Sequence, residues 1–269
     1  MSAALLTIDI GNTNLTLGLY TGDQAGPRWR LATVHERMPD EYGLQFVGLL
    51  AHAGYQPADL GGICLASVVP PLTSKVVEAC RRYLELDPLV VDAGVKTGVR
   101  IRYEDPRAVG ADRIVDAAAV QRLYGGPACV VDFGTATTFD AISAAGDYLG
   151  GAIAPGIGIA AEALFHQTAK LPRVDLQRPP AAIGRNTVHA MQSGLLFGYV
   201  ALTEGMVARF RAELGPKMKV IGTGGLAELI ARETDVLQII APWLTLDGLK
   251  FIWEMNVVGR QERGLEAGA

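Results

Sequence analysis

The chain opens on an apolar run, ALLTIDI at residues 4–10, that stops at the polar turn GNTN and reads as a buried β-strand. After the turn LTLGLY alternates with a period of two, the mark of a second strand, and a third is expected beyond TGDQAG. The same succession returns in the second half as ACVVDF, the turn GTAT, then TFDAIS and a turn at Gly146-Asp147. Asp9 and Gly11 align with Asp132 and Gly134 at a single offset, which together with the shared strand–turn–strand pattern suggests a duplicated domain. Between the two openings the pattern predicts a strand at ICLASVV, a helix over 74–86, a strand at PLVVD and a helix from near Ala111. Beyond the second opening it predicts helices over 157–168 and 187–214, a strand at KVIGTGG, and helices at LAELIARE and LTLDGLKFIW. Pro172, Pro179 and Pro180 mark a loop before IGRNT. Both halves are mixed α/β. The expected division is 1–120 and 121–256, followed by a tail over 257–269 that has no apolar face and is expected to fray.

Composition narrows the function classes. With 269 residues, 49% of them hydrophobic, the chain can bury a core in each of two domains of ordinary size. A net charge of -4 gives no polyanion-binding surface, so nucleic acid is not an expected partner. The N-terminus has no basic start and meets a polar loop after ten residues, short of the about 20 that a membrane span needs; no membrane partner and a cytoplasmic location are expected. Cys64, Cys80 and Cys129 are odd in number, lie in apolar surroundings and lack CxxC spacing, which reads as reduced core thiols. His35, His52, His166 and His189 form no HxH, HxxxH or HExxH pattern, and no GxSxG occurs. Histidine metal sites and serine or cysteine nucleophiles are therefore not expected.

Four constellations could carry chemistry. In DIGNTN, residues 9–14, a strand ends at an acid and gives way to a glycine and small polar residues. Gly11 lets the backbone approach an anion, exposed amides and the Thr13 hydroxyl can donate to phosphate oxygens, and Asp9 can hold a hydrated Mg2+. The same residues also make an ordinary hairpin turn. DFGTATT at 132–138 repeats the recipe with Asp132, Gly134 and Thr135, and a second such turn favours phosphate binding over coincidence. GxxxxGK[ST] is absent, as is GxGxxG near the N-terminus, which disfavours P-loop and Rossmann sites. GTGG, with Gly222, Gly224 and Gly225, sits between a strand and a helix where flat or anionic groups can enter, although any tight turn uses the same glycines. In RYEDPRAVGADR, residues 102–113, Asp112 falls in the first turn of a helix, where the helix dipole favours the ionised carboxylate that a base or substrate orienter needs. Its neighbour Arg113 could receive a carboxylate; a capping Asp beside a solvated Arg is the plain alternative.

In their order along the chain, DIGNTN, SVVP at 67–70, RYEDPRAVGADR, DFGTATTFD, GGAIAPG, LP at 171–172, IGRNT at 183–187, AMQSG and GTGG resemble type III pantothenate kinases, over residues 5 to 255 or so. The resemblance implies an α/β fold of duplicated actin-like (ribonuclease H-like) domains with a nucleotide cleft between them, as in actin, sugar kinases and heat-shock chaperones. It implies ATP-dependent phosphorylation of pantothenate to 4'-phosphopantothenate, the first step of coenzyme A synthesis. By this likeness Asp9, Ile10, Gly11, Asn12, Thr13, Asn14, Leu15 and Thr16 hold ATP phosphates with Gly134 and Thr135, while Gly222, Gly224 and Gly225 fall where adenosine is expected. Asp9 would stand near Mg2+ through water, and Asp132 would ligate a monovalent cation, K+ or NH4+. Tyr103, Gly110, Ala111, Asp112, Arg113 and Thr187 match positions that contact pantothenate, with Asp112 as the catalytic base. Members are homodimers with substrate sites near the subunit interface, so pantothenate, ATP and a second copy are the implied partners. Two alternatives stay open: a kinase for another small alcohol, against which GADR and IGRNT speak, and a regulatory relative without transfer, against which the intact Asp9, Asp112 and Asp132 speak. A chaperone of the heat-shock type is excluded by length, since no region is left for a peptide-binding domain.

Overall fold

A computed structural model of the chain describes residues 3–266. The strands β1 (Ala4–Ile10), β2 (Asn14–Thr21) and β3 (Gln24–Ala32) run as an antiparallel meander, because each apolar run is followed by a short polar turn. On its other side β1 pairs in parallel with β4 (Leu60–Ser67), and β4 with β5 (Leu89–Val90). Parallel neighbours need long crossovers, here α1 (Pro39–His52) before β4 and α2 (Pro70–Tyr83) after it. The helix α3 (Ala111–Leu123) leads to the second half.

There β6 (Ala128–Phe133), β7 (Ala136–Ile142) and β8 (Tyr148–Pro155) form another antiparallel meander. Then come α4 (Ile157–Gln167), α5 (Thr187–Leu214), β9 (Lys219–Thr223), α6 (Ala227–Ala231), β10 (Ile239–Ile240) and α7 (Leu244–Glu266). The parallel pairs are β6 with β9 and β9 with β10. The two sheets are ordered β3-β2-β1-β4-β5 and β8-β7-β6-β9-β10, so strand order and the pattern of parallel and antiparallel neighbours are the same. The repetition suggested by two aligned residues is thus a repetition of a whole five-stranded sheet.

The structure differs from the sequence pattern in identifiable places. Residues 39–52 form α1, an element the pattern did not predict; its buried stripe is narrow, Tyr42, Phe46 and Leu50 at intervals of four, with glycines at 43 and 48. β8 was also not predicted, because Gly150, Gly151 and Pro155 are strand breakers tolerated here at a sheet edge. α2 begins at Pro70 rather than residue 74, since a proline costs nothing in a first turn whose N–H groups lack helical partners.

Contacts divide the chain into two compact units. One holds residues up to Val99, Glu104–Leu123 and the chain from Thr245 on; the other holds Arg100–Tyr103 and Tyr124–Leu244. This corrects the contiguous 121–256 half in one respect: α7 belongs with the first unit. The Tyr20 hydroxyl donates to Asp247 at 2.6 Å and the Lys250 ammonium to Asp23 at 2.7 Å, fastening α7 to the β2–β3 hairpin. The backbone of α7 is helical to Glu266; of the tail expected over 257–269, residues 267–269 lie outside the described residues. Ile8, Leu17, Phe46, Leu65 and Val76 centre the first core; Val131, Phe139, Leu196, Val207 and Val220 centre the second. No helix among the described residues is long and apolar enough to cross a membrane.

Candidate active site

In the first unit β1 carries Asp9 and Ile10 to its carboxyl end, where Ile10 lies opposite Ser67 of the parallel neighbour β4. Carboxyl ends of parallel strands are where open α/β sheets take their ligands. The turn that follows is held from behind: the Gly11 amide donates to the Asn14 carbonyl at 2.9 Å, and Thr33 donates its hydroxyl to the Gly11 carbonyl at 2.7 Å and its amide to the Thr13 carbonyl at 2.9 Å. Asn12, Thr13 and Asn14 are thereby left exposed. Ile10 and Leu15 are fully buried in the core, so of the expected phosphate-binding stretch these two can offer only backbone. Thr16 is half-buried opposite Asp9.

The segment SVVP is tied to the same strand end by the Val68 amide, which donates to the Ile10 carbonyl at 3.1 Å. Ser67 accepts from the Val69 amide at 3.1 Å and the Thr73 hydroxyl at 2.8 Å, fixing the start of α2. Beside Val68 runs Gly110, where a Cβ would stand 2.5 Å from Oδ1 of Asp112 and 3.4 Å from Cγ1 of Val68, so a side chain there would displace the Asp112 carboxylate. Asp112 sits in the first turn of α3, half-buried, with Oδ1 accepting the Arg113 amide at 2.8 Å. The first unit therefore brings the Asp9 turn, Val68 and the stretch from Gly110 to Arg113 into one neighbourhood.

In the second unit Asp132 is the last residue but one of β6, opposite Thr138 of β7 and Thr223 of β9. The Gly134 amide donates to Ala136 at 3.1 Å and the Gly156 amide to the Thr135 carbonyl at 3.1 Å, which leaves Thr135 exposed at the tip. Gly224 has a φ of +87°, and a Cβ on it would lie 2.2 Å from Oδ1 of Asp132, so DFGT and GTGG converge on that carboxylate. Gly225 is exposed next to it. Gly222 has a different position: it is buried inside β9 opposite Val131, and a Cβ there would press on Ile240 and Leu237. Its missing side chain is a packing requirement.

Tyr103 is 41% exposed, its ring 6.4 Å from that of Tyr148. Thr187 heads α5, after the cap Asn186, whose side chain accepts the His189 amide at 2.8 Å. Among the described residues no hydrogen bond or ring contact joins Thr187 to Tyr103. Thr187 instead lies at a groove of about 890 Å³ between α4 and α5, walled by Ile159, Leu164, Met191 and Leu195. Sequence reasoning did not single out this groove, nor Tyr148 and Asp140 beneath Tyr103; their signals are ordinary apolar and strand positions. Burial pushes the thiols of Cys64, Cys80 and Cys129 up to about 12, which keeps them protonated and unreactive at neutral pH.

The residues fit cations only in part-shares. Among the described residues no three His, Cys, Asp or Glu side chains gather in a way that would hold an ion by themselves. Asp9 and Asp132 each stand at a strand end beside a turn of exposed polar groups. One carboxylate with water and phosphate oxygens suits Mg2+, which keeps most of its hydration.

A five-stranded sheet occurring twice in one topology, each copy opening on an acid–glycine–threonine turn, defines a protein of the actin-like fold. Solved structures share that fold: a putative 2-dehydro-3-deoxygalactonokinase from Sinorhizobium meliloti (TM-score 0.58, 15% identity, 95% of this chain and 97% of that one) and the ethanolamine utilization protein EutJ from Carboxydothermus hydrogenoformans (0.55, 14%, 93% and 89%). A family model described as type III pantothenate kinase matches residues 5–209. Type III pantothenate kinases from Moorella thermoacetica and Geobacillus kaustophilus are 53% and 50% identical to the chain over 252 residues, covering 94% of it and 99% and 98% of themselves. The chain belongs to the type III pantothenate kinase family.

Proposed function

We propose that this pantothenate kinase transfers the γ-phosphoryl group of ATP to the primary hydroxyl of pantothenate, with Asp112 as the base. The observation that carries this reading is the placement of the Asp112 carboxylate in the first turn of α3, against Gly110 and Val68, in the neighbourhood of the Asp9 turn. The hydroxyl oxygen bonds to the γ-phosphorus as the bond to the β,γ-bridging oxygen breaks. ADP leaves, and the proton passes to Asp112 and then to water. Because the transition state is loose, Asp112 orients the hydroxyl and takes its proton late, and most of the rate comes from position and charge.

The exposed Asn12, Thr13 and Thr135 face the phosphates, while Gly11 and Gly134, whose own amides are engaged within the turns, give those turns their shape. Gly224 and Gly225 admit adenosine. Arg113 and Tyr103 contact pantothenate, the Arg113 guanidinium by donating to the pantothenate carboxylate. Mg2+ near Asp9 and K+ or NH4+ at Asp132, when bound, neutralise triphosphate charge. We place the enzyme in the cytoplasm, where ATP is supplied and its three thiols stay reduced. A second copy of the chain covers the α4–α5 groove, which is apolar and carries the exposed Ile159 on its wall, and this brings Thr187 to a substrate site at the subunit interface.

The test is Asp112→Asn, which keeps size and hydrogen bonding and removes the base. Turnover is expected to fall about 10²- to 10⁴-fold with ATP affinity and melting temperature retained. Near-normal turnover in the folded variant would show that Asp112 is not the base.

A further inference from the structure

Tyr103 reaches its place by an unusual route. Residues 100–102 add to the outer edge of β8 as a short parallel strand: the Tyr148 amide donates to the Arg100 carbonyl at 2.9 Å, the Arg102 amide donates to the Tyr148 carbonyl at 2.8 Å, and Ile101 pairs with Tyr148. Outside the sheet Arg102 Nε meets Asp147 Oδ2 at 3.0 Å. Inside it the Tyr148 side chain is fully buried and donates its hydroxyl to Oδ1 of Asp140 at 2.9 Å. Asp140 is itself only 2% exposed, and its Oδ2 accepts the Thr138 hydroxyl at 2.9 Å. The Tyr103 ring lies on this arrangement at 52° to the Tyr148 ring, over the backbone of Gly150, where φ is +123° and a Cβ would stand 3.3 Å from the Tyr103 Cδ2.

A buried carboxylate is costly to keep and needs hydrogen bonds to hold it, and phosphoryl transfer as described above has no use for this one. A plain edge strand would be served as well by an apolar pair. What Asp140 does is fix the height and tilt of the Tyr148 ring, and Tyr148 holds both the backbone on which Tyr103 is carried and the surface on which its ring rests.

We propose that Asp140, Tyr148 and the Arg102–Asp147 pair are positioning residues for Tyr103 and thereby set selectivity for pantothenate without acting on ATP. The inference rests on the reading of Tyr103 as a pantothenate contact. Kinetics on Tyr103→Ala, Tyr148→Phe, Arg102→Met and the doubles Tyr148→Phe/Tyr103→Ala and Arg102→Met/Tyr103→Ala test it. Tyr148→Phe and Arg102→Met are each expected to raise KM for pantothenate about tenfold at unchanged KM for ATP and nearly unchanged kcat, and to add nothing once Tyr103 is Ala. Arg102→Met removes only an ion pair at the molecular surface, half-exposed on the arginine side, so it decides the matter by itself if Tyr148→Phe does not fold. Exchanging the charges, Arg102→Asp with Asp147→Arg, should restore the pantothenate KM lost in Arg102→Asp. An unchanged pantothenate KM in Tyr103→Ala would remove the contact reading itself. Effects that persist undiminished in the Tyr103→Ala background, or that move KM for ATP by the same factor, would leave the contact intact and overturn the positioning role.

Discussion

At Gly224 the chain can carry no side chain, because the carboxylate of Asp132 occupies the space a Cβ would need and the backbone is left-handed. Gly224→Ala must therefore move Asp132 or the turn. We expect KM for ATP to rise and activation by K+ to weaken, with the pantothenate KM little changed; equal KM values for ATP in variant and wild type would separate Gly224 from the nucleotide. Gly222 has the same appearance in the sequence, yet it serves contacts with Ile240 and Leu237, and a string of glycines does not say which one faces a ligand. The place of Asp112 in the first turn of α3 was legible because a helix start after a Gly can be read locally. Tyr148 was not, since its meaning lies in a ring contact with Tyr103, more than forty positions away, and Asp140 was not, since it acts only through Tyr148. The thiols allow another test: with values pushed up to about 12, only about one thiol in ten thousand is ionised at pH 8, so a thiol reagent should label native protein very slowly and all three cysteines at once on unfolding.

Among the elements, α7 shows how long-range pairs settle what local pattern leaves open. Its helical period was visible, but its unit was not, because that depends on Tyr20 and Arg28 meeting Asp247, and on Lys250 meeting Asp23 and Glu254. Asp247→Ala deprives both the Tyr20 hydroxyl and Arg28 of an acceptor, and should cost about 1–3 kcal/mol in a urea melt. The Lys250 pairs bring a pH dependence whose sign follows from the shifts. Burial lowers the Lys250 pKa, but the hydrogen bonds that its ammonium donates to Asp23 and Glu254 outweigh it and the net change is upward from 10.5; Lys250 lowers that of Asp23 from 3.8. A raised lysine contributes stability below its unfolded pKa and loses it as pH rises through the folded one; a depressed aspartate contributes above its unfolded pKa and loses it as pH falls through the folded one. The stability difference between wild type and Lys250→Met should then be flat from about pH 5 to 9 and shrink on either side. On α4, Ile159→Glu should turn a dimer into monomers by sedimentation, since Ile159 is an exposed apolar group on the wall of the groove at the proposed interface.

For the whole molecule, two aligned Asp–Gly turns were enough to suggest duplication, since a strand, a tight turn and a strand are all local signals. The common sheet order was out of reach, because it rests on which distant strands become neighbours, and α1 and β8 were hidden by glycines that the tertiary packing tolerates. The family follows from 53% identity across nearly the entire length of a relative. The most direct test is to incubate the purified protein with ATP, Mg2+ and pantothenate in K+ and in Na+ buffer and to follow the product by mass and phosphorus NMR. Formation of 4'-phosphopantothenate together with ADP, faster in K+ than in Na+, is the predicted result; ATP binding with no phosphate transferred to pantothenate in either buffer would contradict the account.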